Sequence, residues 1–268
     1  MSAPNADEFA PILEGAGASD YERYLRTDEL LALQKGPDEW VHRDELLFQT
    51  VHQSSELFLK HAWTEVEEAT RLIEARDVAA ALRLLGRANH AIRYVISFLE
   101  HLELMSPWEY QEVRRVLGHG SGFDSPGFRA IRQVSPDLYA AFDELRRERG
   151  LSLLEVYTQG REHEDLYQLA EALTDWDEQI GVWRFRHVKM VGRVIGEDVV
   201  GTQGTPVELL AGLIKHKMFP ELWLKHAWIE VEEATRLIEA RELSAAIRLL
   251  RRACAALKYV EGFLDHLE

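Results

Sequence analysis

Leu59-Lys-His-Ala-Trp63-Thr-Glu65-Val-Glu-Glu-Ala-Thr-Arg-Leu-Ile-Glu-Ala-Arg76 decides the fold. Its apolar residues return every three or four positions between charged ones, the period of a helix with one face turned to a core. Nearly the whole motif recurs as Leu224-Lys-His-Ala-Trp228 and Glu230 to Arg241. The match runs from Leu57–Glu103 to Leu222–Glu268 at roughly two thirds identity, an internal repeat rather than a shared composition. Two copies are too few for a solenoid.

Outward from this repeat the same period persists, and Val, Ile and Thr never settle into strand-like alternation. The chain is expected to be all-α, a helical bundle with an extra C-terminal helical hairpin. The pattern predicts helices near 21–34, 43–75, 78–103, 107–117, 136–149, 162–195, 206–215, 221–241 and 244–267. Breaks fall at Lys35-Gly36-Pro37, at Ser106-Pro107, across Gly118 to Gly127, and from Gly196 to Pro206. The last two read as candidate active-site loops. Three parts follow: a flexible tail over 1–20, a main domain over 21–223, and a hairpin over 224–268 that repeats 59–103.

The 268 residues, 46% of them hydrophobic, suffice for a large core. A net charge of −15 argues against a nucleic-acid or anionic-membrane partner, since a phosphate-binding surface needs clustered cations. One cysteine, Cys254, allows no internal disulfide and no Cys-x-x-Cys-His haem attachment. With no apolar run of membrane length and no basic, apolar leader, the expected compartment is the cytoplasm.

Two of the 11 histidines lie on strongly helical segments far apart: His52 in Phe48-Gln-Thr-Val-His52 and His187 in Trp183-Arg-Phe-Arg-His187. Each follows an aromatic residue by four positions and so shares its helix face. Spacing alone allows ordinary buried histidines as well as a pair facing a common cavity. Arg184, Arg186, Lys189 and Arg193 make the second helix cationic, which suits either a solvated face or pairing with haem propionates. Tyr110, Arg114 and Leu117 fall at i, i+4 and i+7, one aromatic, one guanidinium and one aliphatic group on one face before the Gly118 break. Such a face can receive a carboxylate beside a flat ring, or hold a structural ion pair. Gly201-Thr202-Gln-Gly204-Thr205-Pro206 reads as a connector able to wrap a polar ligand. Zinc-site, Walker, Rossmann and hydrolase-elbow spacings are missing. The position equivalent to His52 in the second repeat is Lys217, so that hairpin reads as packing or assembly surface rather than a second reaction centre.

In order along the chain, Tyr21-Glu-Arg-Tyr24-Leu25-Arg-Thr-Asp-Glu-Leu-Leu, Glu45-Leu-Leu-Phe48 through His52-Gln-Ser-Ser-Glu-Leu, Pro107 through Leu117, Ser121-Gly-Phe-Asp-Ser, Trp183 through Gly196, and Phe219-Pro-Glu-Leu-Trp223 resemble the tryptophan 2,3-dioxygenase family. The resemblance implies non-covalent haem b, with His187 as the proximal iron ligand and Ser121 near the haem edge. It implies that His52 hydrogen-bonds the indole nitrogen, that Phe48, Tyr110 and Leu117 line the indole pocket, that Arg114 pairs with the substrate carboxylate, and that Thr202 contacts the ammonium group. It implies that Tyr21, Tyr24 and Leu25 come from a neighbouring subunit, hence a homo-oligomer, dimer or tetramer. The implied reaction inserts both atoms of O2 across the indole C2–C3 bond of L-tryptophan or a close derivative, giving an N-formylkynurenine-type product. Departures from the family pattern are Asp124 where glutamine is usual, an altered loop over Glu197 to Pro206, and the repeated hairpin. They leave open an alternative, a haem-dependent monooxygenase of a substituted, for example methylated, tryptophan. Two further classes are a haem protein without turnover and a helical scaffold.

Overall fold

The computed structural model describes residues 10–196, 212–239 and 242–264. These residues form helices and connecting turns, and no strand occurs among them. The main helices are α3 (Asp44–Glu74), α4 (Val78–Leu102), α6 (Pro126–Glu148) and α8 (Glu164–Val194), with α5 (Pro107–Arg114) and α7 (Leu153–Thr158) between them. Short helices α1 (Asp20–Leu25) and α2 (Thr27–Leu31) precede this group, and α9 (Pro220–Trp223), α10 (Lys225–Glu239) and α11 (Leu243–Leu264) follow it. One finding differs from the sequence expectation at the start of the chain. Arg26 adopts a left-handed conformation, φ 52°, which divides the expected 21–34 helix in two. Residues ahead of α1 are tied to it, since the Asp20 carboxylate accepts from the backbone of Ile12 and Leu13 and Arg23 donates to the carbonyls of Leu13 and Gly17.

α3 and α4 form a hairpin that turns through Ala75–Asp77, where Arg76 is left-handed and the Asp77 carboxylate caps α4 by accepting from the Ala80 amide. α8 packs along α4, and α6 packs along α3. The core between them takes Leu59, Val66, Ile73, Leu85, Ile92, Ile131, Leu138, Leu169 and Trp176 fully out of water. Burial of each aliphatic side chain contributes about 1.5–3 kcal/mol before entropy is counted. Polar ties fix the register of these contacts. Asn89 donates to the Ala172 carbonyl at 3.1 Å, and the Trp176 indole donates to Ser135 Oγ at 3.0 Å.

The helix expected over 136–149 begins ten residues earlier, at Pro126. Proline at the first helical position loses no hydrogen bond, and Ser125 caps the helix by accepting from the Phe128 amide. Pro136, which the sequence suggested as a start, lies inside the helix. The N-terminus of α6 is seated on α3 by Glu56, whose carboxylate accepts from Ser125 Oγ and from the Gly127 amide at 2.9 Å. Gly127 permits this approach, because a Cβ there would stand 2.7 Å from both the Leu59 side chain and the Glu56 carboxylate. The short α7 was absent from the sequence expectation; Ser152 and Glu155 form a reciprocal cap around its first turn.

Candidate functional site

One cavity lies where α3, α5, α8 and the turn after α5 converge. Its empty space is about 1490 Å³, open mouth included. Phe48, His52, Tyr110, Leu117, Ser121 and His187 all line it. The apolar part of the wall comes from Met105, Phe123, Phe128, Ile180, Trp183, Met190 and Val191, among others. Helical spacing explains the α8 contribution: Ile180, Trp183, Arg184, His187, Val191 and Val194 follow one stripe at intervals of three, four and seven. That stripe was present in the sequence around His187.

The two imidazoles are held differently. His52 Nδ1 lies 2.7 Å from the carbonyl of Phe48. A carbonyl only accepts, so Nδ1 carries the proton and Nε2 of the neutral ring is left as an acceptor. The His52 ring also stacks on Phe48, with centroids 4.0 Å apart. It is reached by solvent from the cavity, yet the surrounding protein desolvates it enough to pull its pKa below the usual value, against the opposing effects of the Phe48 carbonyl and the Glu56 charge. His187 lies flat against Trp183, with centroids 4.8 Å apart and planes 12° apart. Burial, with a smaller repulsion from His52, pulls its pKa down to about 4. A neutral imidazole is the form that binds a metal.

Two cationic side chains reach the same cavity, Arg132 from α6 and Arg184 from α8. Arg184 donates to the His216 carbonyl at 2.8 Å, and burial lowers its pKa. Arg186 turns away and pairs with Glu100 and Glu103. The cationic helix thus divides, with one arginine toward the cavity and another toward α4. Arg132 was missed because its signal depends on α6 starting at Pro126.

Other candidates have different placements. The helix expected over 107–117 ends at Arg114, so Leu117 lies in the turn beyond it; Arg114 is half-buried one turn after Tyr110 and acts electrostatically on its phenol, but it is not among the residues lining the cavity. Burial raises the Tyr110 pKa. Ser121 accepts from the Phe123 amide while Asp124 accepts from the Ser121 amide, so Asp124 closes the turn that carries Gly120, Ser121, Gly122 and Phe123 into the wall. Tyr21, Tyr24 and Leu25 are exposed on α1 and lie outside this chain's cavity wall. Thr202 and the expected 206–215 helix, apart from its end, lie outside the described residues. Lys217, the repeat counterpart of His52, sits over the Trp223 ring at 3.4 Å rather than at the cavity. Asp177, fully buried on α8, accepts from the Phe219 amide and from Trp223 Nε1 at 2.8 Å, and this pins the start of α9 to α8.

The cavity fits a haem. Two imidazoles with lowered pKa values line it and would offer nitrogen donors, the apolar walls suit a flat macrocycle, and Arg132 and Arg184 would supply charge for its carboxylates. Fold and site together define an all-α protein with a histidine-lined, haem-type cavity. The comparisons are narrower. The tryptophan 2,3-dioxygenase family model matches residues 8–135 and 143–251, and the chain belongs to that family. It is 34% identical to the tryptophan 2,3-dioxygenase of Caulobacter vibrioides over 255 residues, covering 76% of this chain and 95% of the relative. It is 32% identical to the Erythrobacter litoralis enzyme of the same name, covering 75% and 95%, and 30% identical to the Myxococcus xanthus one, covering 79% and 90%. Among the described residues no helix is long and apolar enough to cross a membrane.

Proposed function

We propose that this chain is a haem-dependent dioxygenase that opens the indole ring of L-tryptophan to an N-formylkynurenine-type product. The observation that carries the reading is that His52 and His187 line one largely apolar cavity, each ring kept neutral by burial but only one tied to its own helix. Relatives named for the two-atom reaction favour it over the monooxygenase alternative.

Bound haem would supply redox-active iron for the use of dioxygen. His187 would hold the iron in this reading, its ring plane fixed by Trp183. Arg132 and Arg184 would receive the haem carboxylates. His52 accepts the indole N–H at Nε2, the nitrogen left bare by the Phe48 carbonyl, so it orients the substrate without removing a proton. Phe48, Tyr110 and Leu117 enclose the indole and exclude water. Arg114 pairs with the substrate carboxylate and Thr202 with its ammonium group. Tyr21, Tyr24 and Leu25 close the site of a neighbouring copy in a homo-oligomer, which accounts for their exposure on α1. The proposed setting is the cytoplasm.

The test is anaerobic reduction of haem-loaded protein, addition of L-tryptophan and isotopically labelled dioxygen, and mass analysis. Two labelled atoms with ring cleavage are expected. A single labelled atom, or turnover confined to a methylated tryptophan, would assign the monooxygenase reaction instead.

A further inference from the structure

Glu56 lies one helical turn beyond His52 on α3, half-buried and not among the residues lining the cavity. Its carboxylate commits both oxygens to the first turn of α6, Oε1 accepting from Ser125 Oγ and Oε2 from the Gly127 amide at 2.9 Å. An anion is favoured at a helix N-terminus, and the approach is this close because residue 127 carries no Cβ. From α6 the chain is braced back to the cavity wall. The Ser125 amide donates to the Gly122 carbonyl and the Asp124 amide to the Ser121 carbonyl. The Asp124 carboxylate accepts from the Ser121 amide, and the Arg129 guanidinium donates to the Asp124 carbonyl. Residues 121–129 therefore move as one piece, and the wall residues Ser121, Gly122 and Phe123 stand where Glu56 sets the start of α6. On its own helix Glu56 is fixed relative to His52, whose ring is fixed in turn by the Phe48 carbonyl.

We propose that Glu56 is a positioning residue: by holding Ser125 and Gly127 it sets the Ser121–Phe123 wall so that the indole N–H of bound L-tryptophan meets His52 Nε2. The proposal rests on the function given above and adds the group that aligns the substrate with its acceptor. Glu56 acts at one remove, through the wall on one side and through α3 on the other. Apolar contacts with a flat ring tolerate a small displacement of that wall. A hydrogen bond does not, because it weakens steeply as its angle falls toward about 120°. Losing the seat therefore costs the N–H contact first, and a ligand whose indole nitrogen is methylated has no such contact to lose.

The experiment titrates haem-loaded ferric protein with L-tryptophan and with 1-methyl-L-tryptophan, following the Soret band, in wild type, Glu56→Ala and Glu56→Gln. Glu56→Ala should weaken L-tryptophan binding by about 10-fold, the scale of one hydrogen bond, and 1-methyl-L-tryptophan binding by less than about twofold. Glu56→Gln should stay within about twofold of wild type for both, since an amide can accept from the Gly127 N–H and donate to Ser125 Oγ. Equal weakening of both ligands in Glu56→Ala would reduce Glu56 to a packing role and overturn the proposal. So would unchanged L-tryptophan binding in Glu56→Ala, or a Glu56→Gln as weak as Glu56→Ala. A wild type that does not respond to L-tryptophan would overturn the function reading and this proposal together, whereas the variant outcomes overturn this proposal alone. Should Glu56→Ala not fold, Ser125→Ala deletes one of the two donors and is judged by the same pair of ligands, with a selective loss of about threefold expected.

Discussion

The α3 and α8 sides of the cavity each present a histidine one turn after an aromatic residue, yet they prepare the two rings for different work. On α3 the ring is committed through one nitrogen to the Phe48 carbonyl, which leaves the other as its single acceptor. On α8 the ring is held by stacking on Trp183, which uses neither nitrogen, and it is the more strongly desolvated of the two. Stacking fixes a plane; a hydrogen bond fixes a tautomer. In the proposed reading a metal ligand needs a nitrogen not already taken by its own helix, and recognition of an N–H donor needs a bare acceptor nitrogen. The same i, i+4 sequence pattern thus holds two rings in two ways, and what separates them is a backbone carbonyl that side-chain spacing does not reveal.

The sharpest way to break this contrast is to remove each ring in turn. His187→Ala should abolish stable haem binding and reduce turnover to background, with the Soret absorbance of purified protein as the readout. His52→Ala should keep the haem and lower kcat/KM by about 10–100-fold, the scale of a buried hydrogen bond worth about 1.4–3 kcal/mol. Retained haem and activity in His187→Ala, or haem loss confined to His52→Ala, would reverse the assignment of the two roles.

A smaller effect is expected from the seat beneath His52. Gly127→Ala forces a methyl group into the Leu59 and Glu56 side chains, so α6 must shift from α3 one turn beyond His52. A loss of about 1–3 kcal/mol is the usual scale of such overpacking. Thermal unfolding should show it, and turnover should fall by more than haem occupancy, because the disturbance enters on the His52 side. Asp177→Ala acts on the other side. It leaves the buried Phe219 amide and Trp223 indole donors without their acceptor, at about 1–3 kcal/mol each, and should loosen the 216–223 segment while α8 still presents His187.

Much of this was legible in the sequence, for identifiable reasons. Periods of three and four gave α3, α4 and α8 to within a residue or two, since each helix buries one face along its length. The early start of α6 was hidden because Pro126-Gly127 reads as a break. Only the contact with Glu56 shows that the proline is a first helical residue and the glycine a close approach. Six of the candidate residues converge on the cavity because they sit on long, well-patterned helices or the turn that follows one. Arg132 escaped notice because it belongs to the hidden half of α6; Arg184 was named only as one of four cations, because a cationic helix does not announce which of its arginines turns inward.

The smallest expected effect concerns pH, and its sign follows from the depressed pKa values. In the haem-free fold both rings are kept neutral, His187 with a pKa of about 4 and His52 below its usual value, whereas the unfolded chain titrates near 6.5. Below 6.5 the unfolded state takes up protons that the folded state refuses, so stability is full above that pH and is lost as pH falls toward the folded values. At about 1.4 kcal/mol per pKa unit, His187 accounts for at most roughly 3 kcal/mol by pH 4, with water penetration into the open cavity reducing it. Thermal midpoints of haem-free protein measured from pH 7.5 to 4.5 should fall, and the fall should be shallower in His187→Gln than in His52→Gln. A steeper acid loss in His187→Gln would mean that His52, and not His187, is the more deeply desolvated ring, and the contrast between the two sides of the cavity would have to be redrawn.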